Sequence, residues 1–206
     1  MEYYSLKNKC KIGLILGFFF AFTVFFYGPV GIYLSNAEEL KFGLGSVLRD
    51  VTVVSVVFLA LAVLISLIVP KKLFRWYSLL FLGGGIAFYV QGNYINKSYG
   101  VLDGASIDWS SYTGYGILNT AIWAVCILLP FIAALIIGRK KDEQQIARMV
   151  CMVALFLVVI QIPAMIVQLT SYQKKDSVAL EITDHGLFDM SAEDNIVVFV
   201  VDTMNA

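Results

Sequence analysis

The sequence predicts an all-α polytopic membrane bundle of five helices, followed by the first strand of a truncated α/β domain. Only 15% of the 206 residues are charged and 59% are hydrophobic, whereas soluble domains are about 45–50% apolar and about 25% charged. The apolar residues form five stretches of about 19 to 25 residues, the length that crosses a bilayer. A sixth apolar run is much shorter and rich in valine, which favours a buried strand.

The predicted spans lack Asp, Glu, Lys, Arg and His throughout. They cover residues 12–34, 51–69, 76–94, 114–138 and 149–171. Ion and proton pathways usually need such groups facing the bundle interior, so this composition disfavours a pump. The first apolar stretch is too long for a signal-peptide core and has no small-residue cleavage site after it, so it is predicted to remain as a membrane helix.

Glycines in two spans have more than one interpretation. Gly13 and Gly17 have GxxxG spacing, which can seat a neighbouring helix closely and is also common by chance in membrane segments. Residues 83–85 are three consecutive glycines in the third span, which allow either a close backbone approach or a bend. Residues 35–50 are too polar to span. Their spaced leucines and valine are equally compatible with a short interfacial helix and with an ordinary connector.

The basic residues predict the orientation of the chain, because cytoplasmic loops carry an excess of Lys and Arg. Ten lie in the N-terminal segment and the second and fourth connectors, against three in the first and third. The ten are Lys7, Lys9, Lys11, Lys71, Lys72, Arg75, Arg139, Lys140, Lys141 and Arg148. The N-terminus is therefore expected in the cytoplasm and everything after Tyr172 outside, although Lys174 and Lys175 oppose this slightly.

Composition also limits partners and metals. The formal net charge is zero, so there is no basic footprint for nucleic acid, and the lipid bilayer is the expected partner. Three cysteines without a CxxC pattern indicate neither a disulfide framework nor a zinc site.

In the loop 95–113, Asp103, Asp108 and Trp109 are read either as substrate contacts or as a solvated loop with an interfacial anchor.

The sequence EDNIVVFVVDTMNA, residues 193–206, suggests where chemistry begins. Ile196 to Val201 form an apolar run that ends abruptly at Asp202. A carboxylate at the C-terminal tip of a buried strand lies where α/β sheets place their ligands. Residues 172–194 are expected to be an extracytoplasmic connector. Because so short a segment cannot bury a core of its own, residues 195–206 are expected to start a catalytic domain that continues beyond Ala206.

Residues 195–203, NIVVFVVDT, resemble the first strand of sulfatase-like hydrolases of the alkaline phosphatase superfamily. In that family an Asn and several aliphatic residues lead to a metal-binding Asp. Five spans followed by such a domain are similar to the layout of lipoteichoic acid synthase and of related phosphoglycerol or phosphoethanolamine transferases. The resemblance covers about 35 residues by sequence, together with the topology of the rest.

The resemblance implies that Asp202 is one ligand of a divalent metal ion. A carboxylate suits Mn²⁺, Mg²⁺ or Ca²⁺, and Zn²⁺ also accepts one. Thr203 is not expected to be the nucleophile, because the family's nucleophile lies further along the chain. Many sulfatases have a second Asp where this chain has Thr203, which favours a transferase or a phosphodiesterase-like member. Lipoteichoic acid synthases usually have Glu at the position of Asp202, which separates this chain from that subfamily.

The resulting hypothesis is a multi-pass plasma-membrane protein, of bacterial type, that anchors an extracytoplasmic metal-dependent enzyme. The enzyme would act on phosphate or sulfate esters, as in head-group transfer from a lipid-linked substrate during envelope polymer synthesis. Residues 1–206 alone are expected to be inactive. The alternative is a non-enzymatic five-span protein, either a transporter subunit or an assembly partner.

Overall fold

A computed structural model describes residues 3–37, 40, 42–95, 109–138 and 143–172, and the regular secondary structure within these ranges is helical. Five of the helices are long and apolar enough to cross a membrane, which confirms the predicted number of spans. They are α1 (Leu6–Ser35), α2 (Leu44–Ile68), α3 (Lys71–Ile95), α4 (Thr113–Gly138) and α5 (Glu143–Ser171). The predicted strand at 196–201 lies outside the described residues.

Four of the helices begin several residues earlier than the apolar pattern indicates. The helix α2 begins at Leu44, so residues 44–50 form its first turns and are continuous with the span. No helix-breaking residue separates them from the apolar stretch, and adding residues to an existing helix costs less than starting a new one. Ser5 caps α1 through its hydroxyl, and Glu143 in the first turn of α5 complements the helix dipole.

The first helix lies at the centre of the bundle. It packs against α2, α3 and α5, while α4 packs mainly on α3. On α1 the side chains of Leu16 and Phe19 are fully buried, and they join Phe74 of α3 and Val158 of α5 in one apolar core. The helices α2 and α4 bury little of their length and expose apolar faces, as lipid-facing helices do.

The GxxxG pair seats α1 against α2 within the same chain. A Cβ atom at Gly17 would lie 3.0 Å from the Cβ of Ala62, and one at Gly13 would overlap the Ser66 side chain. The hydroxyl of Ser66 donates to the carbonyl of Ala62 in its own helix at 2.8 Å. The glycines therefore make room for a small-residue stripe on α2.

Two basic side chains stabilise the end of the bundle near the N-terminus. Lys9 is only 4% exposed; its ammonium donates a hydrogen bond to the carbonyl of Leu67, in the last turn of α2, and lies over the ring of Phe74. Arg75 donates to the carbonyl of Ala134, in the last turns of α4, at 3.2 Å. Cations at helix C-termini satisfy unpaired carbonyls and complement the dipole.

Replacing Lys9 by methionine is expected to lower the free energy of unfolding by about 1.5–3 kcal/mol, because a buried charge-assisted hydrogen bond is lost. Methionine retains much of the apolar stem. Lys7→Met is the matched control, since Lys7 is exposed on the same helix. Unfolding in mixed detergent micelles measures both variants, and equal losses would contradict the capping role.

Candidate functional site

A polar cleft of about 270 Å³ lies between the carboxy-terminal parts of α1, α3 and α5. These three helices run in the same direction, so their ends gather at the face of the bundle from which the chain continues past Tyr172. The lining residues are Thr23, Tyr27, Gly28, Gly31, Ile32, Ser35, Asn36, Phe88, Gly92, Asn93 and Gln168. A polar cavity inside an apolar bundle is the most distinctive feature of the described residues.

Two segments of π-helix contribute to the cleft. One is Ala21–Tyr27 in α1 and the other is Gln91–Ile95 at the end of α3. Pro29 lies two residues after the end of the first segment; it has no N–H to donate, and its ring crowds the preceding turn, which favours a wider turn there. The N–H of Gly28 donates to the carbonyl of Thr23 instead. Such segments occur frequently at functional sites.

The floor of the cleft is a polar contact between α1 and α5. The side-chain amide of Gln161 donates to the hydroxyl of Thr23 at 3.1 Å and to the carbonyl of Leu157 at 3.0 Å. Gln161 is only 1% exposed, and its oxygen has no hydrogen-bond partner among the described residues. An unmatched buried polar atom is costly, and among the residues of this contact it is Thr23 that lines the cleft.

A second acceptor lies two turns further along α5. Oε1 of Gln168 is buried and has no partner in the described part of the chain. On the opposite wall, a Cβ atom at Gly31 would lie 3.3 Å from this oxygen. The absence of a side chain at Gly31 therefore lets the Gln168 amide pack closely against α1.

Hydrogen bonds between the helices hold the third wall in place. The hydroxyl of Tyr27 donates to Oδ1 of Asn93 at 3.3 Å, and the amide of Asn93 donates to the carbonyl of Tyr89 at 2.8 Å. Nε1 of Trp123 on α4 donates to Oε1 of Gln91 at 2.8 Å. The second π-helical segment is thus connected to both α1 and α4.

The lining of the cleft contains no charged residue within the described ranges. Its polar groups are hydroxyls and side-chain amides, which both donate and accept hydrogen bonds. In those ranges there is also no group of three His, Cys, Asp or Glu that could hold a metal ion. The cleft therefore suits small uncharged polar molecules.

The residues that the sequence singles out for chemistry are not among the described residues that line the cleft. Asp202, the expected metal ligand, lies outside the described residues, as do Asp103 and Asp108. Trp109 begins a short 3₁₀ turn, Trp109–Tyr112, and is 64% exposed, so it takes no part in the cleft. All three cysteines are free.

The fold defines a polytopic helical membrane protein. No family model, curated protein or solved structure matches the chain. Sequence reasoning identifies polar residues in the third and fifth spans but does not assemble them into a cleft. One available signal is the spacing of Gln161 and Gln168, which at seven residues places both on one face of α5.

Proposed function

We propose that this chain is the membrane portion of an extracytoplasmic, metal-dependent sulfatase-like hydrolase or transferase. Its substrates would be phosphate or sulfate esters, with transfer of a phosphorylated head group in envelope polymer synthesis as the favoured reaction. One observation carries the proposal. The motif of residues 195–203, in which a valine-rich run leads to Asp202, follows five helices long and apolar enough to span a membrane and the connector 172–194.

The placement of charge supports the orientation that this function needs. Lys9 and Arg75 lie at the end of the bundle near the N-terminus, where each donates to a helix C-terminus. Under the positive-inside rule that end faces the cytoplasm. The polar cleft and the start of segment 173–206 would then share the outer face. An active site built by that segment would lie at the membrane surface, within reach of lipid-linked esters.

The divalent ion of the proposed enzyme would be held partly by Asp202. Its carboxylate suits a hard cation, and such a cation would stabilise the charge of the transferred group. The further ligands and the nucleophile are expected downstream of Ala206.

The reading frame beyond codon 206 and a turnover assay together test the proposal. The frame is expected to encode a Thr, Ser or Cys nucleophile and a later Asp/His cluster. The protein made from that frame is expected to hydrolyse a generic phosphodiester, to lose activity with a chelator and to regain it with Mn²⁺ or Mg²⁺. A stop codon directly after Ala206 in several independent genomes would contradict the proposal.

Residues 1–206 expressed alone are expected to show no phosphatase, sulfatase or transferase activity. The reason is that Asp202 by itself cannot form a metal site, and the described residues contain no acidic, His or Cys cluster. The measurement is release of product from a generic phosphodiester and from a sulfate ester, with and without divalent metal. Metal-dependent turnover by this purified piece would refute the expectation.

The alternative is a non-enzymatic five-span protein, and the apolar faces that α2 and α4 expose are compatible with a covering partner subunit as well as with lipid. Purification in mild detergent distinguishes the two functions. A stoichiometric partner held through residues 172–206, together with no longer reading frame, would favour the alternative.

A further inference from the structure

We propose that the cleft is a hydrated vestibule, which admits water and small uncharged polar molecules into the bundle from the face where segment 173–206 begins. The vestibule is the space lined by α1 from Thr23 to Asn36, by the end of α3 and by Gln168 of α5. This inference goes beyond the proposed enzymatic function and does not depend on it.

The depth of the vestibule is set by its lining on α1. Thr23 and Asn36 are thirteen residues apart, which corresponds to about 20 Å along a helix. The hydrocarbon core of a bilayer is about 30 Å thick. Asn36 follows the last residue of α1 and marks the rim, so Thr23 lies about 20 Å below the rim, roughly two thirds of the way through a hydrocarbon core of that thickness.

The chemistry of the lining suits water. Hydroxyl and side-chain amide groups line the cleft over this depth, and such groups both donate and accept hydrogen bonds. An unmatched polar group costs several kcal/mol in the hydrocarbon region. A file of water molecules can pair with several of these groups at once, whereas a single small molecule cannot.

On the side that faces the N-terminal half of α1, the vestibule is closed at Thr23. There Gln161 joins α5 to α1, and the next inward side chains of α1, Phe19 and Leu16, are 0% and 1% exposed within an apolar core. The described residues thus form an opening at one end only. Such a shape hydrates one half of the bundle without forming a pore.

Reactivity of introduced cysteines in native membranes tests the inference. The three natural cysteines are first replaced by serine. Single cysteines are then placed at the rim (Ser35→Cys), in the middle (Gly31→Cys) and on the floor (Thr23→Cys). Ile162→Cys is the matched control, because Ile162 is next to Gln161 in the chain but is 43% exposed on an apolar surface that faces lipid. A small membrane-impermeant methanethiosulfonate is added to either side.

All three vestibule positions are expected to react from one side at least tenfold faster than Ile162→Cys. A floor cysteine that reacts no faster than the lipid-facing control would overturn the vestibule. Equal reactivity of the floor from both sides would overturn its closed end. Reaction of all three from the cytoplasmic side alone would uphold the vestibule while contradicting the orientation on which the proposed function rests.

A variant that blocks the vestibule distinguishes slower access of the reagent to the floor from local misfolding. Gly31→Leu is expected to fill the space beside Gln168, where even a Cβ atom lies 3.3 Å from Oε1. In that background the reaction of Thr23→Cys is expected to slow at least tenfold, while that of Ser35→Cys at the rim is retained. If floor and rim slow equally, or neither slows, the floor is not reached through the vestibule and the proposal fails.

Discussion

Replacing Gly83 by alanine is expected to separate α3 from α4 and to lower the free energy of unfolding by about 1–3 kcal/mol, the usual cost of overpacking. The added Cβ would lie 2.7 Å from the carbonyl oxygen of Ile127 and 2.9 Å from its Cα. Both are backbone atoms, which cannot rotate away as a side chain can. The helices must therefore move apart along the main contact that α4 makes with the rest of the bundle.

The matched control is the same substitution one residue later. At Gly84 the new Cβ would lie 3.7 Å from the ring of Phe20, an ordinary contact. Alanine is favoured over glycine in a helix by about 1 kcal/mol, and this gain applies at both positions. Gly84→Ala is therefore expected to be neutral or stabilising, and the difference between the variants isolates the close packing of α3 on α4.

Two measurements check the expected difference between Gly83→Ala and Gly84→Ala. Unfolding in mixed detergent micelles gives the change in free energy. The rate at which Cys126 reacts with a maleimide reports the contact itself, because the carbonyl of Cys126 lies 3.2 Å from the point that a Cβ atom at Gly83 would occupy and separation exposes this part of α4. Equal stability and equal Cys126 reactivity in the two variants would show that α3 and α4 do not cross at Gly83.

The number of spans could be predicted from the sequence because the requirement is local: about twenty consecutive apolar residues suffice to cross a bilayer. Helix contacts are not local. The glycines at 83–85 allow either a close approach or a bend, and only the fold shows that Gly83 meets the backbone of α4 while Gly85 meets the ring of Phe19. The early start of α2 at Leu44 does not follow from the apolar pattern, because polarity identifies membrane boundaries and a helix can continue past them.

The cleft could not be predicted from the sequence for a related reason. Thr23 and Gln161 are 138 residues apart, and each is an isolated polar residue in an apolar span. Neither their contact nor the π-helical turn before Pro29 follows from periodicity. Asp202 is the opposite case. A short motif singles it out, but it lies outside the described residues, so its role as a metal ligand stays a prediction.

Asp202→Asn is expected to reduce metal-dependent turnover by roughly a thousandfold in the protein encoded by the extended reading frame. Asparagine has nearly the same shape but carries no negative charge, so it binds a divalent cation far more weakly. A metal ion supplies several kcal/mol of charge stabilisation in phosphoryl or sulfuryl transfer, and each 1.36 kcal/mol corresponds to about a tenfold change in rate. Excess Mn²⁺ is expected to restore part of the activity.

Thr203→Val is the matched control, since it removes a hydroxyl at the next position and leaves the carboxylate in place. Activity is expected to persist in this variant, because the nucleophile is expected further along the chain. The two variants together distinguish three situations. Loss with Asp202→Asn alone supports the metal site, loss with Thr203→Val alone makes Thr203 the nucleophile, and full activity in both shows that the motif has no part in the chemistry. Metal titration of the purified variants, read as the concentration that gives half-maximal rate, separates weaker metal binding from misfolding, because only weaker binding shifts that concentration.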